Sequence, residues 1–98
     1  MTMAQTTVLQ EMRSRAERHR TLCRQIKEMI IERLELPVDP DWITDDQPLF
    51  GRGLGLDSID AMELAVGLNA KFGLMVDDDD RGIFGSIAHI AERILDEQ

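Results

Sequence analysis

The pattern of apolar and polar residues in the first third of the chain predicts a long amphipathic helix. From Leu22 to Leu34, apolar side chains recur three or four residues apart, which is the period of a helix with one buried face. Pro37 ends the pattern, because the residue before a proline disfavours helical geometry. We therefore predict a first helix over residues 14–35, preceded by a frayed segment over residues 1–10.

The following segment, PVDPDWITDDQPLFGRGLGL, cannot form one regular element. It holds all three prolines of the chain, and its apolar residues are irregularly spaced. Those residues are too many for a solvated linker, so we predict a long ordered loop packed over a helical core. Long ordered loops in small domains often serve a function. The large apolar side chains in question are Trp42, Ile43, Leu49, Phe50, Leu54 and Leu56.

Two further helices follow the loop. Asp57 is a suitable N-cap for a helix over residues 58–72, which Gly73 would end. Ser86 can cap a last helix over residues 87–96 with one apolar face, and the segment between them permits only one short helical turn. The sequence therefore predicts an all-α fold. We expect a small four-helix bundle, three long helices and one short, with the long loop between the first and second helices.

The second helix is predicted to have two apolar faces. At about 100° per residue, Leu64, Leu68 and Phe72 share one face with two alanines and suit the core. Three other apolar residues fall on a second stripe, which a helix packed on one side does not need. The stripe, called the ridge below, consists of Ile59, Met62 and Val66.

Two interpretations of the ridge remain open from the pattern alone. Asp60 and Glu63 flank it, so it resembles a small apolar surface with acidic edges, suited to a partner protein. A methionine suits varied partners, because its side chain adapts. The alternative is that the long loop simply covers the ridge.

Length and charge restrict the class of protein further. Ninety-eight residues suit one domain, which we divide into a flexible N-terminal extension, residues 1–13, and a helical domain, residues 14–98. Nineteen acids against eleven bases give a net charge of −8, which argues against nucleic-acid binding and favours basic protein partners. Cys23 is alone, and no apolar run reaches the length of a membrane span or signal peptide. We expect a cytoplasmic monomer.

Ser58, at the junction of loop and helix, does not fit an enzyme active site. The LDSID sequence lacks the glycines of a nucleophile elbow, and His19 and His89 lie far away on presumed helices. GRGLGL lacks the third glycine of a nucleotide-binding loop. The run of aspartates over residues 77–80 does not continue as a calcium loop and is interpreted as a solvated helix start. We predict no catalytic residue and no metal ligand, and we interpret Ser58 as a covalent attachment point at a helix N-terminus.

The stretch PLFGRGLGLDSIDAMEL resembles the modification motif of acyl carrier proteins and related phosphopantetheine-binding carriers. Leu54, Gly55, Asp57 and Ser58 carry the resemblance, which extends over residues 20–96. It implies a non-catalytic carrier in which Ser58 is esterified with 4′-phosphopantetheine from coenzyme A. Asp57 would help the phosphopantetheinyl transferase and its metal ion, and the thiol of the arm would hold acyl groups as thioesters.

The resemblance also implies which residues face partner enzymes. These partners are acyl-transferring and acyl-modifying enzymes of fatty-acid or specialised polyketide or lipid biosynthesis, with basic docking surfaces. An aminoacyl or peptidyl carrier, and an unmodified acidic interaction module, are the alternatives. The partner-facing residues are Ile59, Asp60, Met62, Glu63 and Val66.

Two departures from the family pattern favour a specialised pathway. Residues 66–71 lack the acids that fatty-acid carriers usually keep there, and Gly67 is expected to loosen the helix, since it costs roughly 1 kcal/mol relative to alanine. The N-terminal extension adds arginines that have no place in the common pattern. We expect them to solvate a lengthened helix; they are Arg13, Arg15, Arg18, Arg20 and Arg24.

Overall fold

The fold is all-helical, as a computed structural model that describes residues 3–50, 54–76 and 81–97 shows. Within these residues the only β-type pairing is a single bridge between Phe50 and Leu56. The all-α class predicted from the sequence is therefore confirmed. The elements are α1 (Met3–Leu34), α2 (Ser58–Phe72) and α3 (Ile87–Glu97), with 3-10 helices at Pro40–Trp42 and Arg81–Gly85.

The predicted boundaries hold for α2 and fail at the start of α1. Helix α2 runs from Ser58 to Phe72 as predicted, and α3 ends one residue later than predicted, at Glu97. Helix α1 begins at Met3 rather than at residue 14, so the predicted start of this helix was wrong. Residues 4–13 contain neither glycine nor proline. Extending a helix that is already nucleated costs little in such a sequence.

One apolar core joins the three α-helices and the long loop. Leu22, Ile26 and Ile30 of α1 face it at helical spacing, and on the same face of α1 Val8 and Met12 remain exposed. The ion pair between Arg15 and Asp96, 2.9 Å long, lies where the end of α3 meets α1. The other buried apolar residues are Cys23, Met29, Ile43, Leu49, Leu56, Leu64, Leu68, Leu74, Ile87, Ile90, Ala91, Ile94 and Leu95.

The long loop packs on the core as predicted, except for Trp42. Ile43, Leu49 and Leu56 are buried, and Phe50 packs against the core from its edge. Trp42 is 75% exposed, so the prediction was wrong for this residue. It lies at the end of the 3-10 helix Pro40–Trp42, where Ile43 enters the core and the preceding aspartate pairs with α1, which leaves the indole outside.

Asp45 connects the long loop to α1 and α3 by an ion pair and a hydrogen bond. Its Oδ1 lies 2.6 Å from Nζ of Lys27 on α1, and its carbonyl accepts a 2.9 Å hydrogen bond from the amide of Ala88 on α3. Cys23 lies beside this group and is 2% exposed, so its thiol is buried. Burial, and secondarily the charge of Asp45, raise the pKa of Cys23 to about 11.

Candidate attachment site

A tight turn directs the chain into α2. Gly55 has φ +72°, a conformation that favours glycine. The next residue, Leu56, is buried, and its amide donates a 3.1 Å hydrogen bond to the carbonyl of Leu49. The start of α2 is thereby anchored in the core. Residues 51–53, the start of the GRGLGL stretch, and the aspartates at 77–80 lie outside the described residues.

Asp57 and Asp60 form a capping box at the N-terminus of α2. Oδ1 of Asp57 accepts a 2.9 Å hydrogen bond from the amide of Asp60, and Oδ2 of Asp60 accepts a 3.0 Å bond from the amide of Asp57. This arrangement satisfies two backbone donors that the helix itself leaves unpaired. The predicted cap at Asp57 is therefore confirmed, and both acids have a structural role.

Ser58 is the first residue of α2 and is exposed to solvent. Of the other two serines, Ser14 is exposed in α1 and Ser86 is buried at the start of α3. Both histidines are engaged elsewhere: His19 Nδ1 lies 3.7 Å from the Cys23 sulfur, and His89 Nδ1 lies 2.7 Å from Ser86 Oγ. The site thus presents a hydroxyl on a rigid helix start, which suits covalent attachment.

The ridge beyond Ser58 is bare. Ile59 is 76% exposed, Met62 71% and Val66 56%, whereas Leu64 and Leu68 on the opposite face are fully buried. The interpretation in which the long loop covers the ridge is therefore wrong. The prediction that α2 has one core face and one exposed apolar face is confirmed.

Glu63, on the border of the ridge, is paired across the bundle. Arg33 of α1 donates a 2.5 Å hydrogen bond from Nη1 to Oε1 of Glu63, and the two side chains are 32% and 45% exposed. The pairing joins residues 30 positions apart in the chain, so helical periodicity did not reveal it. Asp60 is half-buried in the capping box, so the two acidic edges of the ridge are both engaged within the protein.

Gly67 is a site of close packing between α2 and α1. A Cβ at this position would lie 2.6 Å from Cδ of Arg33 and 2.7 Å from Sδ of Met29, both closer than such atoms approach in proteins. The missing side chain gives α1 room to pack closely, a role that the expectation of a loosened helix did not include. A glycine inside an amphipathic helix was the available signal for such an approach.

Two of the N-terminal arginines are tied to acids of the folded body. Arg15 pairs with Asp96, and Arg24 pairs with Glu28 and Asp41. These contacts are exposed, and each contributes little stability.

Within the described part of the chain, no helix combines the length and the apolar character needed to cross a membrane.

Comparisons with known proteins agree with this geometry. A family described as "Phosphopantetheine attachment site" matches residues 24–94, which include the C-terminal third of α1, the long loop, α2 and most of α3. A curated protein named acyl carrier protein, from Sulfurovum sp. (strain NBC37-1), is 39% identical over 54 residues. That match covers 55% of this chain and 68% of the relative.

Proposed function

Because the chain belongs to the family of phosphopantetheine attachment domains, we propose that it is an acyl carrier whose arm is attached to Ser58. One observation carries the proposal: Ser58 is an exposed hydroxyl on the first residue of a capped and anchored helix. The covalent 4′-phosphopantetheine of this family would supply a terminal thiol, which holds acyl groups as thioesters. The protein itself is a carrier and a substrate of its modifying transferase, and we assign it no catalytic residue.

The residues around Ser58 fit this group. The N-terminus of α2 carries the positive end of the helix dipole, which favours a phosphodiester. Asp57 and Asp60 oppose part of this field, but their hydrogen bonds within the capping box fix the backbone that bears Ser58. We propose that Asp57 also contacts the transferase and its metal ion, so that its carboxylate has both a structural and a recognition role.

The ridge is the proposed docking surface for partner enzymes. Ile59, Met62 and Val66 expose apolar area that the bundle does not use, and exposed apolar patches rimmed by polar residues mark interaction sites. We propose acyl-transferring and acyl-modifying enzymes as partners, with basic groups placed opposite Asp57 and Asp60. Fatty-acid or specialised polyketide or lipid synthesis would supply them, and the acid-poor second half of α2 favours a specialised pathway.

The remaining features fit the same proposal. The 3-10 helix Arg81–Gly85 takes the place of the short fourth helix of the bundle, and residues 14–98 form the carrier domain. Residues 1–13 are an extension of this domain, and residues 3–13 of it belong to α1. We propose a monomer that works in the cytoplasm. An aminoacyl or peptidyl carrier is not favoured, since the relative described above is named an acyl carrier protein.

A thiol titration tests the proposal, because Cys23 is the only cysteine of the chain. In a Cys23→Ala variant the polypeptide contributes no thiol. After incubation with coenzyme A, magnesium and a broad-specificity phosphopantetheinyl transferase, and removal of free coenzyme A, we expect one reactive thiol per chain. Adding Ser58→Ala should abolish it, whereas adding Ser14→Ala, at another exposed serine, should not. A reactive thiol that survives Ser58→Ala would contradict the assignment.

The cargo is tested on the modified protein. An acyltransferase that accepts acyl-coenzyme A should convert the new thiol to a thioester, which hydroxylamine cleaves. An adenylating enzyme supplied with amino acids should not load it. Loading by the second route alone would favour the aminoacyl alternative.

A further inference from the structure

The surface of α2 is not uniformly acidic, because of its own sequence and because of one side chain from α1. Asp57 and Asp60 place negative charge on the first turn beside Ser58. One turn further, Glu63 is ion-paired with Arg33, and residues 64–70 carry no charge. Lys71 then adds a positive charge in the last turn. The charge along the helix therefore changes from acidic at the Ser58 end to neutral or positive at the other end.

We propose that Arg33 is a specificity-determining residue, which selects partners whose docking surface is basic only opposite the Ser58 end and apolar beyond it. This inference rests on the proposed function, since it concerns the enzymes that act on the arm at Ser58. Arg33 lies on α1 and acts through Glu63, so it is part of the partner surface without touching the attachment point.

Gly67 makes the pairing possible. The side chain of Arg33 crosses α2 where Gly67 has no side chain, and a Cβ there would lie 2.7 Å from Nε of Arg33. The guanidinium reaches Glu63, one helical turn towards Ser58, and the Arg33 side chain as a whole is 32% exposed. A cation is thus held at the border of the ridge by the shape of the helix interface, in addition to its attraction to the carboxylate.

The groove beside this contact has no net charge. Glu32, Arg33 and Lys71 border it, and Glu63 is paired with Arg33. The two acids therefore balance the two bases. A partner with basic residues along the whole of α2 would bring them against Arg33 and Lys71 and gain nothing from Glu63. Such like-charge contacts weaken the binding of a partner that is basic along the whole helix. They do not affect a partner that is basic only opposite the Ser58 end.

The apolar residues then define the rest of the partner surface. Met62 and Val66 are exposed on the ridge, beside or within the stretch of α2 that has no net charge. A complementary enzyme would offer an apolar depression for these two side chains, bordered by cations only where Asp57 and Asp60 approach. Docking by such a surface should depend weakly on salt, because few separated charges contribute to it.

The test compares Arg33→Gln with Arg24→Gln in the transferase reaction at Ser58. Both variants remove one arginine charge from α1, but Arg24 pairs with Glu28 and Asp41 and leaves Glu63 untouched. With a phosphopantetheinyl transferase whose docking surface is basic, Arg33→Gln should lower KM about twofold to fivefold at low salt, the size of one surface ion pair, with kcat unchanged. The gain should shrink at high salt.

A conservative replacement and two outcomes decide the matter. Arg33→Lys keeps the charge and should behave like the parent. Equal effects of Arg33→Gln and Arg24→Gln would show that only net charge matters and would overturn the inference while leaving Ser58 as the attachment point. No modification of the parent itself, under conditions that convert a known carrier, would overturn the proposed function and this inference with it.

Discussion

Replacing Gly67 by alanine should destabilise the protein, although alanine is the better helix former. In an open helix position this substitution would add roughly 1 kcal/mol of stability. Here the new Cβ would lie 2.6–2.7 Å from atoms of Arg33 and Met29, so both side chains must move. The result depends on whether the cost of that movement exceeds the gain in helix propensity.

The structure indicates that it does. Met29 is 4% exposed and has little free space, and overpacking of such a site costs about 1–3 kcal/mol. Arg33 can turn into solvent, but it then loses its pairing with Glu63, which is worth about 0.2–1 kcal/mol for a partly exposed pair. The combined cost, about 1.2–4 kcal/mol, exceeds the gain of roughly 1 kcal/mol, and we expect a net loss of about 1.5 kcal/mol.

Urea unfolding followed by circular dichroism measures this difference. We expect the midpoint to fall with an unchanged m-value, and Tm to drop by roughly 4–8 °C for each kcal/mol lost. Gly82→Ala is a suitable control, because a Cβ at Gly82 would have no atom within 4 Å. If Gly67→Ala instead raised the stability by the full helix-propensity gain, the close packing of α1 against Gly67 would be refuted.

Three further predictions concern the cap, the ridge and the buried thiol. Asp57→Ala should cost about 1 kcal/mol through loss of the cap, and Asp57→Asn almost nothing, while both slow modification of Ser58 in a transferase rate assay. Met62→Ala, at a position 71% exposed, should change the free energy of unfolding by less than about 0.5 kcal/mol and yet slow partner reactions; Leu68→Ala, fully buried, should cost about 2–5 kcal/mol in urea unfolding. The pKa of Cys23 is about 11 in the folded protein and 9.0 ordinarily, so its stabilising contribution is complete below pH 9 and is lost as the pH rises towards 11. The free energy of unfolding should therefore fall more steeply over this range in the parent than in Cys23→Ala, and parallel curves would contradict it.

Local chemistry made α2 predictable. Asp57 as N-cap and Gly73 as C-cap are signals within the helix and its neighbours, and both are used as expected: Asp57 accepts from Asp60, and Gly73 has φ 69°. The two apolar faces followed from the helical period alone. The exposed position of Ser58 follows from the same boundaries, since it is the residue directly after the cap.

Features that depend on a distant partner were not predictable. Gly67 looked like a weak point, because only the approach of α1 shows why a side chain is excluded there. The pairing of Arg33 with Glu63 joins two helices whose relative rotation the pattern does not fix. Trp42 was assigned to the core by its size, whereas the path of the loop places Ile43 there instead.

The charge of the proposed docking surface was also not predictable from the sequence of α2 alone. A count of acids along α2 treats Asp60 and Glu63 alike, as edges of the ridge available to a basic partner. In the structure Asp60 accepts its hydrogen bond from a backbone amide, which carries no opposing charge, whereas Glu63 is paired with an arginine from another helix. Net charge therefore describes long-range steering of this protein, while the contacts made on docking depend on which charges are already paired.

The most direct test of the central claim is the intact mass of the purified protein after incubation with coenzyme A, magnesium and a broad-specificity phosphopantetheinyl transferase. The parent and Ser14→Ala should each gain one phosphopantetheinyl group, Ser58→Ala should gain none, and peptide mapping should place the group on Ser58. An unchanged mass of the parent, under conditions that fully convert a known carrier, or the same gain in Ser58→Ala, would contradict the account.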